Sequence, residues 1–291
     1  MSSALSWQKR GLMNESLPII QINLALDVIG PALLVLVIIG MYVGHFTGNV
    51  MTGRARKRFK LWQWPDHVEL PSLIRRSMHL MLVGSMIALM VSGIYIRFPF
   101  ELPLGNRTTI KYLHYVAAFA VTAIFFIRIG YAFLHKSKDY REFALTKKDM
   151  MAFVPTLKYY AFMAKSKPHV ATYNPMQKAS YGLMVPTLIF IQIVTGLALL
   201  FSPQLLGWLA SSVGGLALAR VYVRIIHYFV TWVAGAFMCA HIYLAITEDL
   251  PALLFFFFGL NPHDLKERRS KSDEGHGPEL EKTESDHGAN H

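Results

Sequence analysis

Apolar residues in this chain collect into blocks of about 20, the length a helix needs to cross ~30 Å of hydrocarbon. Blocks near residues 26–46, 77–97, 113–134, 181–201 and 221–246 predict five membrane-crossing helices. No span is read as interrupted by a carboxylate. The opening stretch lacks a basic start, a short apolar core and a small-residue cleavage site, so the first block is read as a retained helix, with Pro31 tolerated in its first turns. Residues 145–164 (LTKKDMMAFVPTLKYYAFMA) mix Met, Phe, Leu and Tyr with Lys around a proline, which suits a helix lying in the membrane interface rather than a sixth span. From about residue 264 the chain is polar enough to be expected as a solvated, unordered tail. The fold class is therefore all-α and polytopic: a four-helix bundle over residues 72–250, an extra N-terminal helix and basic loop over 1–71, and a polar tail over 251–291.

Composition supports this. Of 291 residues 53% are hydrophobic and 16% charged, against about 25% charged in soluble domains. That argues against a soluble enzyme. The single cysteine, Cys239, excludes a disulfide framework within the chain, a thiolate-bound iron–sulfur cluster and a covalently attached c-type haem. The net charge of +11 resides in loops, as membrane insertion requires, so no nucleic-acid partner is expected. Residues 47–76 hold Arg54, Arg56, Lys57, Arg58, Lys60, Arg75 and Arg76 against Asp66 and Glu69, and residues 135–180 are basic as well. Both loops are predicted cytoplasmic, with the N-terminus outside and the C-terminus inside an inner, lipid-facing multi-pass protein.

Four of twelve histidines, His79, His114, His227 and His241, fall inside predicted spans, where an ionisable side chain is rare and usually functional. His45 and His135 lie at span ends, and His67, His169 and His263 in loops. His276, His287 and His291 lie in the tail. His227 and His241 are 14 residues apart, which places them about 40° apart around one helix and ~21 Å apart along it. One face thus carries imidazoles at two depths. With the orientation above, His114 shares the outer depth of His227 and His79 the inner depth of His241. Two ligands on one helix, each matched from another, describe a bundle holding two haems. For a lone intramembrane histidine, a hydrogen bond to a neighbouring helix explains as much. Gly84, Gly93, Ala117, Ala118, Gly182, Gly196 and Gly235 make room either for macrocycles or for close helix packing. Arg128, Arg220, Arg224 and Lys111 suit haem propionates or lipid phosphates equally.

The segments IKYLHYVAAFAVTAIFFIRIGYAF (110–133), YNPMQKASYGLMVPTLIFIQIVTGLAL (173–199) and RIIHYFVTWVAGAFMCAHIYLAITED (224–249) resemble the b-type cytochrome subunit of membrane-bound nickel–iron hydrogenases. The likeness covers roughly residues 72–250. That family belongs to a wider group with the gamma subunit of formate dehydrogenases and the cytochrome of thiosulfate reductase. The histidine pair is shared across the group, and Glu248 with Asp249 favours the hydrogenase branch.

The resemblance implies two haem b groups held by His79, His114, His227 and His241, and a quinone, menaquinone or ubiquinone, beside the inner one. In the formate dehydrogenase branch an Asn-x-Gly-Gln element contributes to the quinone site. The matching stretch here is Asn174, Pro175, Met176, Gln177, with Met176 where a glycine is expected. The amides of Asn174 and Gln177 suit a quinone carbonyl, and suit a helix cap equally. The implied partners are an iron–sulfur electron-transfer subunit and a nickel–iron catalytic subunit, in an assembly that can be a higher oligomer. The chain itself would break no bonds beyond quinone reduction. The alternative is the same scaffold serving a formate dehydrogenase or a thiosulfate-type reductase. A histidine proton relay in a transporter would want mid-membrane carboxylates or broken helices, and neither is read in these spans.

Overall fold

The computed structural model describes residues 2–65, 70–99, 105–168 and 173–275. Asp66, His67, Glu69, His169, His276, His287 and His291 lie outside the described residues. Five helices are long and apolar enough to cross a membrane: Pro18–Met51, Leu73–Arg97, Arg107–Leu134, Pro175–Leu200 and Leu216–Glu248. All five expected spans are present, each longer than its apolar block. The first differs most. Its apolar stretch starts at Pro18, so Pro31 stands in the helix interior, where it removes the N–H that would bond the Asp27 carbonyl. Asp27 lies in this span too, which corrects the expectation that no span contains a carboxylate. The helix continues through a π-helical segment, Ile39–His45, into Phe46–Met51.

The described residues form two compact units. The first draws on Met1–His45 and Met78–Ala240. At its centre Val121 and Phe125 of the third helix pack on Ile189 of the fourth, with Leu82, Met86 and Leu89 of the second around them. A second cluster joins Leu206, Ala219 and Val223. Much apolar surface stays open: Val28 is 72% exposed, Leu36 68%, Val116 67% and Ile127 60%. Water would penalise such surface, and hydrocarbon would not.

Thr146 and Asp149 form a capping box that starts a helix over Lys147–Tyr160, within the stretch read as interfacial. This helix buries Asp149, Thr156 and Tyr159 while Met150, Met151, Val154 and Leu157 are exposed. That is the reverse of a soluble amphipathic helix, and it suits apolar surroundings. Asp149 accepts from Lys178 Nζ at 2.9 Å, tying this helix to the start of the fourth.

The second unit draws on Phe46–Ser77 and His241–His291. Arg58 forks onto both carboxylate oxygens of Glu248 and also bonds the Thr247 carbonyl. Asn49 Nδ2 donates to the Tyr243 hydroxyl at 3.2 Å. Asp249 accepts from Ala252 N–H and caps a helix over Leu250–Phe258. The stretch expected as an unordered tail is helical through Pro262–Gly275. Asn261 accepts from the His263 N–H, Pro262 opens the first turn, and Lys271 pairs with Glu267 one turn back. The Arg269 guanidinium lies over the Trp62 ring, 5.1 Å from its centroid. Local capping and charge spacing order a segment whose hydropathy suggests none.

Candidate functional site

Two of the four intramembrane histidines have their rings fixed in the same way. On the second helix Ser92, 1% exposed, turns its hydroxyl back to the Ala88 carbonyl and stands 2.9 Å from His114 Nδ1 on the third helix. A hydroxyl has one proton. With that proton given to Ala88, the oxygen accepts from the ring, so Nδ1 carries the hydrogen and the lone pair is left on Nε2.

On the fourth helix Thr195 repeats the arrangement. Its Oγ1 donates to the Ile191 carbonyl at 2.6 Å and stands 2.8 Å from His227 Nδ1 on the fifth helix. Gln192 Nε2 bonds both the Thr231 hydroxyl, at 2.8 Å, and the His227 carbonyl, at 3.1 Å, locking the two helices at this level. In each case a glycine follows the hydroxyl residue. A Cβ on Gly93 would stand 3.5 Å from His114 Cε1, and one on Gly196 would stand 3.4 Å from His227 Cε1.

The remaining predicted residues fall elsewhere. His79 is half-buried near the start of the second helix, in the first unit, and His241 is half-buried on the fifth helix, in the second unit. Asn174 and Gln177 meet in a reciprocal capping box at 3.0 Å in both directions. Asn174 Nδ2 also reaches the Tyr160 hydroxyl at 3.4 Å, while Gln177 Nε2 makes no hydrogen bond among the described residues. Arg128 pairs with the buried Asp139 at 3.1 Å and Arg220 donates to Ser202 at 2.7 Å. Arg224 is exposed and Lys111 half-buried. The small residues divide: Gly93 and Gly196 back imidazoles, Gly235 packs on Met90, Gly182 on Phe143, and Gly84 faces open space.

A profile of prokaryotic cytochrome b561 matches residues 71–259, most of the chain. The chain belongs to this family. It is 26% identical over 176 residues to the probable Ni/Fe-hydrogenase B-type cytochrome subunit of Rhodobacter capsulatus, covering 56% of this chain and 67% of that one. It is also 26% identical over 198 residues to the probable Ni/Fe-hydrogenase 1 B-type cytochrome subunit of Escherichia coli K12, covering 60% and 80%. The counterpart from Bradyrhizobium diazoefficiens is 26% identical over 183 residues, covering 57% and 72%.

A b-type cytochrome holds haem b through side chains alone, and the residues present fit that group. His114 and His227 come from different helices, their Nδ1 protons are tied to hydroxyls, and glycine rather than a side chain meets each ring at Cε1. Both histidines are candidates on the sequence alone, whereas Ser92, Thr195, Gln192 and Thr231 are not singled out by it. A signal for two of them is present in the chain: Val91-Ser92-Gly93 in the second helix and Val194-Thr195-Gly196 in the fourth repeat one pattern.

Proposed function

We propose that this cytochrome is the dihaem membrane subunit of a respiratory nickel–iron hydrogenase, passing electrons from extracytoplasmic catalytic and iron–sulfur subunits to membrane quinone. The observation that carries the reading is the doubled imidazole–hydroxyl pair: His114 with Ser92 and His227 with Thr195. When bound, haem b supplies reversible one-electron storage, and two imidazole ligands leave no open position for oxygen chemistry. Ser92 and Thr195 hold the rings in one tautomer and at one angle, so that little reorganises when charge changes. Gln192 and Thr231 brace the helix that carries His227.

The depths assigned from the sequence keep His79 and His241 each as a candidate ligand on the cytoplasmic side. Asn174 and Gln177 stand at the start of the fourth helix, where the uncommitted Gln177 amide suits a quinone carbonyl. Their capping box shows that the same two amides also hold this helix entry. The basic residues of the 47–76 and 135–180 segments support an inner-membrane orientation with the C-terminus inside. The hydrogenase names of the relatives in three organisms support the choice of partner.

The test is purification of the tagged full chain from its native membrane, followed by addition of hydrogen or formate to the preparation. Co-purifying nickel–iron and iron–sulfur subunits with haem reduced by hydrogen would support the assignment. Reduction by formate alone would move the chain to the formate dehydrogenase branch.

A further inference from the structure

The extra first helix is fastened to the ligand-bearing helices by charge. Arg97, at the end of the second helix, forks onto Asp27 of the first, Nε to Oδ1 at 2.9 Å and Nη2 to Oδ2, and Nη2 also reaches the Asn23 carbonyl at 3.4 Å. The guanidinium lies over the ring of Tyr228, 5.4 Å from its centroid, and Tyr228 follows His227 directly. One turn on, Gly30 meets Trp232 so closely that a Cβ would stand 2.3 Å from the indole Cδ1. Asn23, Asp27 and Gly30 share one helix face by their spacing of four and three residues. Tyr42 continues the contact by donating to the Cys239 carbonyl at 3.1 Å.

The pair is therefore placed against Tyr228, the residue next to His227 in sequence. Arg97 lies five residues from Ser92 on one helix, about 7.5 Å of rise, and touches the residue next to His227. The side chains of Arg97 and Asp27 are 23% and 21% exposed, so solvent screens each charge only in part.

We infer that the Asp27–Arg97 pair is an electrostatic counterweight for the His114/His227 site, which makes the first helix part of the redox centre and not a separate anchor. This rests on the haem reading above. Iron held by two neutral imidazoles in a porphyrin is one charge more positive when oxidised. A lone cation nearby disfavours the oxidised form and a lone anion favours it, while the intact pair nearly cancels. Asp27 and Arg97 are positioning residues here, since neither touches a ligand nitrogen.

The test is a spectroelectrochemical titration of the haem bands of the full chain in lipid vesicles. Asp27→Asn shifts the midpoint of one haem upward, Arg97→Gln shifts the same midpoint downward, and the double variant returns close to the wild type. Asp27→Glu, which keeps the charge, stays near the wild type. Shifts of the same sign in both single variants, or no shift with haem retained, overturn the proposal. Should a single variant shed its haem, the double variant retains it if uncompensated charge is the cause, and its failure to do so also overturns the proposal. A wild-type chain with no haem bands sinks the haem reading itself, a result distinct from unshifted midpoints.

Discussion

Ser92 accepts from His114 Nδ1 at 2.9 Å while giving its own proton to the Ala88 carbonyl. Thr195 and His227 reproduce the relationship on the fourth and fifth helices, at 2.8 Å. An outer hydrogen bond that fixes an imidazole ligand is worth about 10- to 100-fold in metal affinity. Ser92→Ala and Thr195→Val should each weaken haem retention by about that factor, with Thr195→Ser close to wild type. Haem-to-protein ratio after dilution into haem-scavenging apoprotein reads the effect, and unchanged retention would show the hydroxyls to be incidental.

Gly30 and Gly40 lie on the same helix in opposite surroundings. A Cβ at Gly30 would overlap the Trp232 ring, whereas nothing lies within 4 Å of one at Gly40. Gly30→Ala should cost about 1–3 kcal/mol through overpacking, and Gly40→Ala nothing measurable. Thermal unfolding in detergent with tryptophan fluorescence distinguishes them, and equal stability of the two variants would contradict the contact.

Asp149 is held at a pKa of about 2, below its ordinary 3.8, first by the Thr146 hydroxyl and then by the Lys178 ammonium and the Thr146 N–H. A carboxyl with a depressed folded pKa adds stability that is fully present above its unfolded value and is lost as pH falls through the folded one. The anchoring of Lys147–Tyr160 should therefore hold above about pH 4 and loosen between about 4 and 2. Hydrogen exchange across residues 147–160 should follow this course, and Asp149→Asn should remove the acid limb. Loosening near neutral pH would place the anchor elsewhere.

The Arg58–Glu248 pair is largely buried, its side chains 12% and 11% exposed. Removing one partner of a buried pair costs about 3–5 kcal/mol, because the other charge is left unpaired. Glu248→Ala should therefore destabilise the second unit far more than the combined Arg58→Met and Glu248→Leu replacement. Denaturation of both variants compares them directly, and equal losses would mean that the pair contributes little.

The five spans were legible because hydrocarbon imposes a length that a single sequence displays. The histidine depths rest on helical rise and on the orientation that loop charge suggests, and belong to the proposal. The ends were harder. Gln21 and Asn23 interrupt the apolar run that opens at Pro18, so the helix reads as starting later, and Asp27 reads as a boundary residue until its partner Arg97, 70 positions away, is seen. Ser92 and Thr195 were opaque because a hydroxyl bonded back to its own helix looks the same in sequence whether or not a ring accompanies it. The helix over Pro262–Gly275 escaped notice because hydropathy says nothing of caps. Glu248 and Asp249, which pointed to the family, hold Arg58 and a helix start in the fold.

Imidazoles presented from different helices are proposed to hold haem. Pyridine haemochrome analysis of the purified full chain, wild type beside His114→Ala and His227→Ala, tests this most directly. Two haem b groups per chain are expected in the wild type, with loss of the same one in both variants. A wild-type chain without haem b, or variants that keep the full complement, would contradict it.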